Sequence, residues 1–370
     1  MINEKVEGLF HTVGGGDRMA STDMFHREEV QLASRNRGMP LEALKYNITP
    51  AGMHYLLIHF DIPYLDADTW NLEVGGLVAN PVSLSLDDIK SRQSVTMPVT
   101  MECAGNGRTL LEPRSISQPW GLEAIGTAEW TGTPLGPMLE DAGVDPSAVE
   151  ILFTGQDRGV QGDEIQDYQR SLTLEDASRH EVMLVYEMNG QPLQPQHGYP
   201  MRLIVPGWYG MTSVKWLTKI EAISEHFDGF QMDQTYRYKQ DADDPGEPVD
   251  LIRVRALMIP PGIPDFLTRT RLLDAGPVTL EGRAWAGRLG VDRVEVSANN
   301  GESWDDASLE EPVGKYAWRA WSRDWDATPG NHILSVRATD SKGNIQPTDQ
   351  PWNYQGMGNN MVHRVNVVVR

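Results

Sequence analysis

Cysteine is the scarcest residue in this chain, with one among 370 positions, Cys103. A single thiol forms no internal disulfide, and it excludes both multi-cysteine structural zinc sites and the paired-cysteine attachment of haem. Long apolar runs are missing too, since none approaches the roughly 20 residues that span a bilayer. The first residues, Met1 to Glu7, carry no basic segment leading into an apolar one, so no export signal is read. These absences describe a soluble chain, cytoplasmic as numbered, or periplasmic where a leader precedes the numbering. Positive charge is short: 32 Lys and Arg face 52 Asp and Glu, a net charge of −20. Nucleic acid and anionic membrane surfaces would be repelled, and neither is expected as a partner. No internal repeat or heptad pattern is present.

What the chain does have is enough apolar residue, 40%, to build sizeable cores, and a length that favours two domains. Residues 1 to 45 are polar and read as an N-terminal arm. Tyr55 to Phe60 reads as a buried strand, Trp70 to Val74 as a half-buried one, and Leu86 to Lys90 as a short helix. Pro134 to Ala142 suits a helix closed by Gly143. Ala148 to Phe153 suits a strand emptying into a loop, Thr154 to Gly159, and Val182 to Tyr186 a strand before the Asn189-Gly190 turn. The acidic, Pro/Gly-rich stretch Asp241 to Pro248 reads as a linker. Beyond it, short strands at turn-bounded spacing, from Val278 to Trp285 through to His363 to Val369, predict an immunoglobulin-like β-sandwich without its disulfide. The expected division is an arm at 1–45, a catalytic domain at 46–250 and a second domain at 251–370.

Two stretches carry chemistry. In the first, Val99, Thr100 and Met101 deliver Cys103 into Ala104, Gly105, Asn106, Gly107 and Arg108, where the glycines permit close approach of a ligand. Cys103 is either a small buried hydrophobe or a reactive or metal-binding sulfur, and Arg108 favours its thiolate if it folds back. In the second, His197, Arg202 and Lys215 put three potential cations on an otherwise apolar framework ending in Ser213, Val214, Trp216 and Leu217. Such charge calls for an anionic ligand or a salt bridge to an acidic neighbour. His59 is a core histidine or faces a ligand, Asp157 forms a turn or holds one, and Trp120 anchors a core or walls a pocket.

With both stretches in view, the chain resembles the sulfite oxidase family of molybdenum-cofactor enzymes. Cys103 to Arg108 resembles the molybdenum-cysteine motif, His197 to Leu217 the pterin-binding segment, and Gly282 to Gly287 with Trp304 and Trp318 the dimerisation domain. The resemblance implies an α+β architecture, in which a mixed α/β molybdopterin-binding domain precedes the immunoglobulin-like dimerisation domain and the protein is a homodimer. It implies molybdenum and molybdopterin as cofactors, with Cys103 as the protein's metal ligand, and a thiolate is the soft donor that metal needs. His59, Asp157, His197, Arg202, Ser213, Val214 and Lys215 are implied to hold the pterin and its phosphate. Arg108, Trp120 and Tyr236 are implied at the substrate, with Tyr238 competing for the tyrosine's place.

The implied activity is oxidation of sulfite or a related small sulfur oxyanion by oxygen-atom transfer, with electrons passed to a separate acceptor such as a cytochrome. Leu57 and Gln355 stand where that family's anion site carries arginines, and lost guanidinium contacts are worth roughly 1.5 to 3 kcal/mol each. A nitrate- or S-oxide-reducing molybdoenzyme on the same scaffold is therefore an alternative substrate reading. A metal-free thiol enzyme, with Cys103 as nucleophile and His59 or His197 as base, is the alternative from another class, and a non-catalytic interaction module is the third.

Overall fold

The computed structural model describes residues 19–20 and 26–370. The part of the expected arm at residues 1–18 and 21–25 lies outside the described residues. The rest of that segment differs from the expectation of a loose lead-in. Arg27–Arg35 forms a helix and Leu41–Lys45 a 3₁₀ turn that buries Ala43 and Leu44. The helix is pinned because Glu29 is fully buried and its carboxylate takes the Arg114 guanidinium, Nη2 to Oε2 at 3.0 Å, while its other oxygen also contacts Arg114. A buried pair of this kind is invisible in a polar stretch of sequence, since its partner lies far along the chain.

Two antiparallel-rich sheets follow. The first runs Gln191–Pro192, Met183–Met188, Ile125–Pro134 and Val95–Glu102, with Arg202–Ile204 also paired to Met183–Met188. The second runs Val82–Ser85, Asn71–Gly76, Leu217–Ile223, Glu150–Gln161 and Glu164–Thr173, and only the pairing of Leu217–Ile223 with Asn71–Gly76 is parallel. A core containing Leu72, Ile151, Phe153, Leu184, Leu203 and Ile220 joins the sheets, with the helices Leu86–Lys90 and Leu135–Ala142 packed on it. Those helices start and stop for local reasons. Ser85 caps the first by accepting the Asp88 N–H at 3.2 Å, and Gly143 ends the second at φ +67°.

Two expected elements differ. Tyr55 to Phe60 is not a strand; its only ladder contact is the isolated bridge of Leu56 with Arg37. Its backbone serves the site instead, with the Leu57 carbonyl accepting Lys215 Nζ at 2.8 Å. Thr154 to Gly159 is not a loop but part of the long strand Glu150–Gln161, whose register to its partner slips between Thr154 and Arg158. That irregularity turns Asp157 inward.

The second unit is a sandwich. One sheet orders Arg255–Met258, Gly276–Trp285, Arg319–Ala327 and Ser308–Pro312; the other centres on Arg271–Leu273, His363–Val369, Gly330–Asp340 and Val291–Ser297. Ala284, Val296, Trp321, Leu334, Val336 and Val367 fill the space between them. The units are tightly joined. A shared cluster holds Ala104, Tyr209, Tyr236, Leu257, Trp285 and Trp318, and the Trp318 indole donates to the Asn47 carbonyl at 2.8 Å. Among the described residues no helix is long and apolar enough to cross a membrane.

Candidate functional site

Cys103 leaves the end of the strand Val95–Glu102 and stands where two cavities meet. Its loop is held from both sides. The Cys103 N–H donates to the Ala124 carbonyl at 2.9 Å, and the Asn106 side chain accepts the Ala124 N–H at 3.1 Å. From the second unit, Gly358 N–H donates to Ala104 O at 2.6 Å and Asn359 Nδ2 to Gly107 O at 2.7 Å. Glu102, next to the cysteine, is fully buried and receives Arg255 Nη1 at 2.5 Å, Trp285 Nε1 at 2.8 Å and Asn106 Nδ2 at 3.0 Å.

Arg108 does fold back. Gly105 allows it, since a Cβ there would lie 2.6 Å from the guanidinium, and Gly107 at φ +88° starts the turn. Burial pushes the Cys103 thiol up, while the Arg108 charge pulls it down. A thiol in that balance ionises when a metal takes its proton's place. Among the described residues no three His, Cys, Asp or Glu side chains converge.

The inner cavity is lined by Cys103, His59, Asp157, His197, Arg202, Ser213, Lys215 and Tyr236. Of the implied pterin-holding residues, Val214 alone is absent from the lining, and its side chain packs into the sheet core. Arg202 donates to the His197 and Ser213 carbonyls at 3.0 and 3.1 Å and lies 4.9 Å over the Trp130 ring, with its Nε unpartnered. Lys215 also donates to Gln196 O at 3.2 Å. Burial lowers the Lys215 ammonium and raises the Asp157 carboxyl, because each is removed from water and their attraction offsets this only in part. Asp157 Oδ1 and His54 Nε2 are buried with no partner.

Burial also holds His59 neutral at about 3 and His54 at about 4, with neighbouring cations adding to the effect. Two cations removed from water, one carboxylate and several orphaned polar atoms lining one cavity fit an anionic, hydrogen-bonding heterocycle such as a pterin with its phosphate.

His59 faces Tyr236, with Nε2 and Oη 2.6 Å apart, and its ring lies on Tyr168 at 4.6 Å between centroids. Tyr236 adopts φ +58°, and burial raises its phenol well above the ordinary range. Tyr238, the competing tyrosine, lies under Arg253 at 4.1 Å and lines neither cavity.

The outer cavity brings Arg108 and Trp120 together with Tyr236, Leu57, Gln355 and Met357. Arg108 donates through Nη1 to Gln118 O at 3.0 Å, through Nε to Gln355 O at 3.2 Å and through Nη2 to Met357 Sδ at 3.4 Å. Sequence reasoning missed His54, Tyr55 and Tyr168 in the inner cavity. It also missed Arg170, buried 5.7 Å over the Tyr236 ring. A buried arginine inside the strand Glu164–Thr173 was the available signal for the last.

Residues 59–231 match the family model described as oxidoreductase molybdopterin binding domain, and residues 252–370 match the Mo-co oxidoreductase dimerisation domain. The chain is 35% identical to the mitochondrial sulfite oxidase of Homo sapiens, over 90% of this chain and 64% of that one. It is 31% identical to the sulfite oxidase of Arabidopsis thaliana, covering 86% of this chain and 87% of that one. It is also 33% identical to the NAD(P)H nitrate reductase of Hordeum vulgare, over 87% of this chain but only 39% of that longer protein. The crystal structure of the sulfane dehydrogenase SoxCD from Paracoccus pantotrophus shares the fold, with a TM-score of 0.78 at 23% identity over 98% of this chain and 91% of that one.

Proposed function

The chain belongs to the sulfite oxidase family of molybdenum-cofactor oxidoreductases, and from that premise we propose that it is an oxygen-atom-transfer enzyme acting on a sulfur centre, with Cys103 as the protein's metal ligand. The observation that carries the proposal is the position of the Cys103 sulfur, between a cation-lined inner cavity and an open outer one. The cofactor, when bound, supplies the two-electron redox chemistry, and the chain supplies placement and charge.

Arg202 and Lys215 balance the phosphate, with His59, Asp157, His197 and Ser213 meeting the pterin's polar edge. At the junction the chain manages a proton: neutral His59 and Tyr236 share one between Nε2 and Oη, and the raised phenol keeps its own at neutral pH. Arg108 presents its remaining N–H groups to a developing oxyanion, while Trp120 walls water from one side.

The implied electron partner is a separate acceptor such as a cytochrome, and residues 252–370 are the proposed homodimer surface. Light scattering at micromolar concentration tests the dimer, and a monomer contradicts it. For the site, Cys103→Ser should abolish activity and bound molybdenum with an unchanged circular dichroism spectrum. Molybdenum retained at the wild-type ratio would refute the ligand assignment. A thiol-enzyme reading is tested by the same samples: alkylation of apoprotein and loaded protein alike would favour it over a metal-bound thiolate.

A further inference from the structure

Strand alternation puts residues 168, 170 and 172 of Glu164–Thr173 on one face, and all three are buried. Tyr168 lays its ring against His59, 4.6 Å between centroids, and is tied down by its hydroxyl, which donates to the Met211 carbonyl at 2.8 Å. Arg170, 2% exposed, lays its guanidinium over the Tyr236 ring at 5.7 Å, within the roughly 6 Å over which an aromatic face attracts a cation. One strand therefore backs both members of the pair formed by His59 Nε2 and Tyr236 Oη, 2.6 Å apart. Arg170 lines neither cavity, so whatever it does at the site it does through Tyr236.

A buried guanidinium is ordinarily paired with a carboxylate, because an uncompensated charge has lost its hydration. Arg170 is not. Among the described residues its one hydrogen bond runs from Nη1 to the Gln231 carbonyl, and its Nε is buried without a partner. Glu150 is the carboxylate whose charge reaches Arg170, and it is engaged elsewhere, accepting from His226 Nδ1 at 2.8 Å and from the Phe227 N–H at 3.0 Å. The Gln231 contact requires no charge, since a neutral amide donor would serve. That segment is already clamped by the Gln231 side chain, whose Nε2 donates to Gln161 Oε1 and Gln166 Oε1, both at 2.9 Å. The charge is left facing the phenol ring.

We propose that Arg170 is a positioning residue, pinning the Tyr236 ring against the strand so that its hydroxyl stays directed at His59 and is offered there as a donor. The inference rests on the reading that this pair works beside Cys103 at the reacting centre. Tyr236 needs such a hold, since its backbone lies in the left-handed region at φ +58°, where a bulky residue is strained. A cation over the ring also polarises the phenol, so that its O–H donates while His59, kept neutral by burial, accepts through Nε2. Burial raises the phenol, and Arg170 works against that rise.

Fluorine NMR of protein grown with 3-fluorotyrosine reads the Tyr236 ring, with Tyr236→Phe assigning its signal, and turnover is read on molybdenum-loaded protein with sulfite and ferricyanide. Arg170→Met, similar in reach but uncharged, should shift the Tyr236 signal and lower kcat at least about tenfold with KM within about twofold of wild type. Arg170→Lys should recover most of the shift and bring kcat to within about threefold of wild type, because it restores the charge without the planar fork. Added to Tyr236→Phe, Arg170→Met should cost less than about twofold in kcat, since the hydroxyl it directs is already gone. Arg170→Gln, which keeps a donor for the Gln231 carbonyl, takes the place of the methionine variant if that one does not fold. A Tyr236 signal unmoved by loss of the charge overturns the inference, as does a lysine variant as displaced as the uncharged one, or the full loss of kcat repeated in the Tyr236→Phe background. A wild type that holds no molybdenum or does not turn over sulfite defeats the functional reading instead, and the Tyr236 signal in the two variants still decides the positioning.

Discussion

Replacing Arg255 with leucine tests how the second unit supports the cysteine. Arg255 and Glu102 are 2% and 1% exposed, and their contact at 2.5 Å crosses from one unit to the other. Leucine removes that contact and leaves the carboxylate buried with only Trp285 and Asn106 as donors. Breaking a buried pair from one side costs about 3–5 kcal/mol, chiefly because a desolvated charge is left uncompensated. The same cost is expected for Glu102→Gln, which strands the guanidinium.

The double variant removes both charges, so its loss should fall short of the sum by at least about 2 kcal/mol. Urea unfolding followed by tryptophan fluorescence reads this, because Trp285 and Trp318 lie in the cluster that joins the units. The variants should also split one transition into two as the units uncouple. Molybdenum content should drop in both singles, since Glu102 immediately precedes Cys103 in the chain. Single losses below about 1 kcal/mol, or additive singles, would refute the reasoning.

Gly105→Ala should lower activity at least tenfold with little change in unfolding midpoint, because its Cβ would fall 2.6 Å from Arg108 and push the guanidinium off its place; wild-type kcat/KM would count against it. Arg202→Ala and Lys215→Ala should release cofactor on desalting, each by loss of a charge that the phosphate balances, with metal analysis as the readout.

His363 gives a pH dependence away from the site. Burial, aided by Arg255, lowers it to about 3, and its Nδ1 accepts the Met258 N–H at 3.0 Å. Below its ordinary pKa near 6.5 the unfolded chain binds a proton that the native chain refuses. Stability therefore falls as pH drops from about 6.5 toward 3, at roughly 1.4 kcal/mol per pH unit for this group. His363→Asn should flatten that slope in urea titrations at several pH values, and an unchanged slope would contradict the assignment.

Much of the site is legible before folding because its chemistry is local. A strand delivering Cys103 into a glycine pair and an arginine can be read from adjacent positions, and so can three cations on an apolar frame. Elements with strong local signals behave likewise: Leu86–Lys90 carries its Ser85 cap, and Leu135–Ala142 ends at a left-handed glycine. Tyr55 to Phe60 misleads because an apolar run looks the same whether it pairs with a strand or lines a cavity. Asp157 misleads because a bulge leaves no pattern that distinguishes it from a loop.

The sequence by itself determined where the lone thiol stands beside its glycines and arginine, that three potential cations share an apolar frame, and the alternating strands of the second unit, since each depends on residue type and short-range spacing. Only the tertiary structure decided that Arg108 folds back, that Tyr236 rather than Tyr238 meets His59, and that Arg255 reaches Glu102 across 153 positions. Those contacts join residues remote in the chain, and packing alone brings them together.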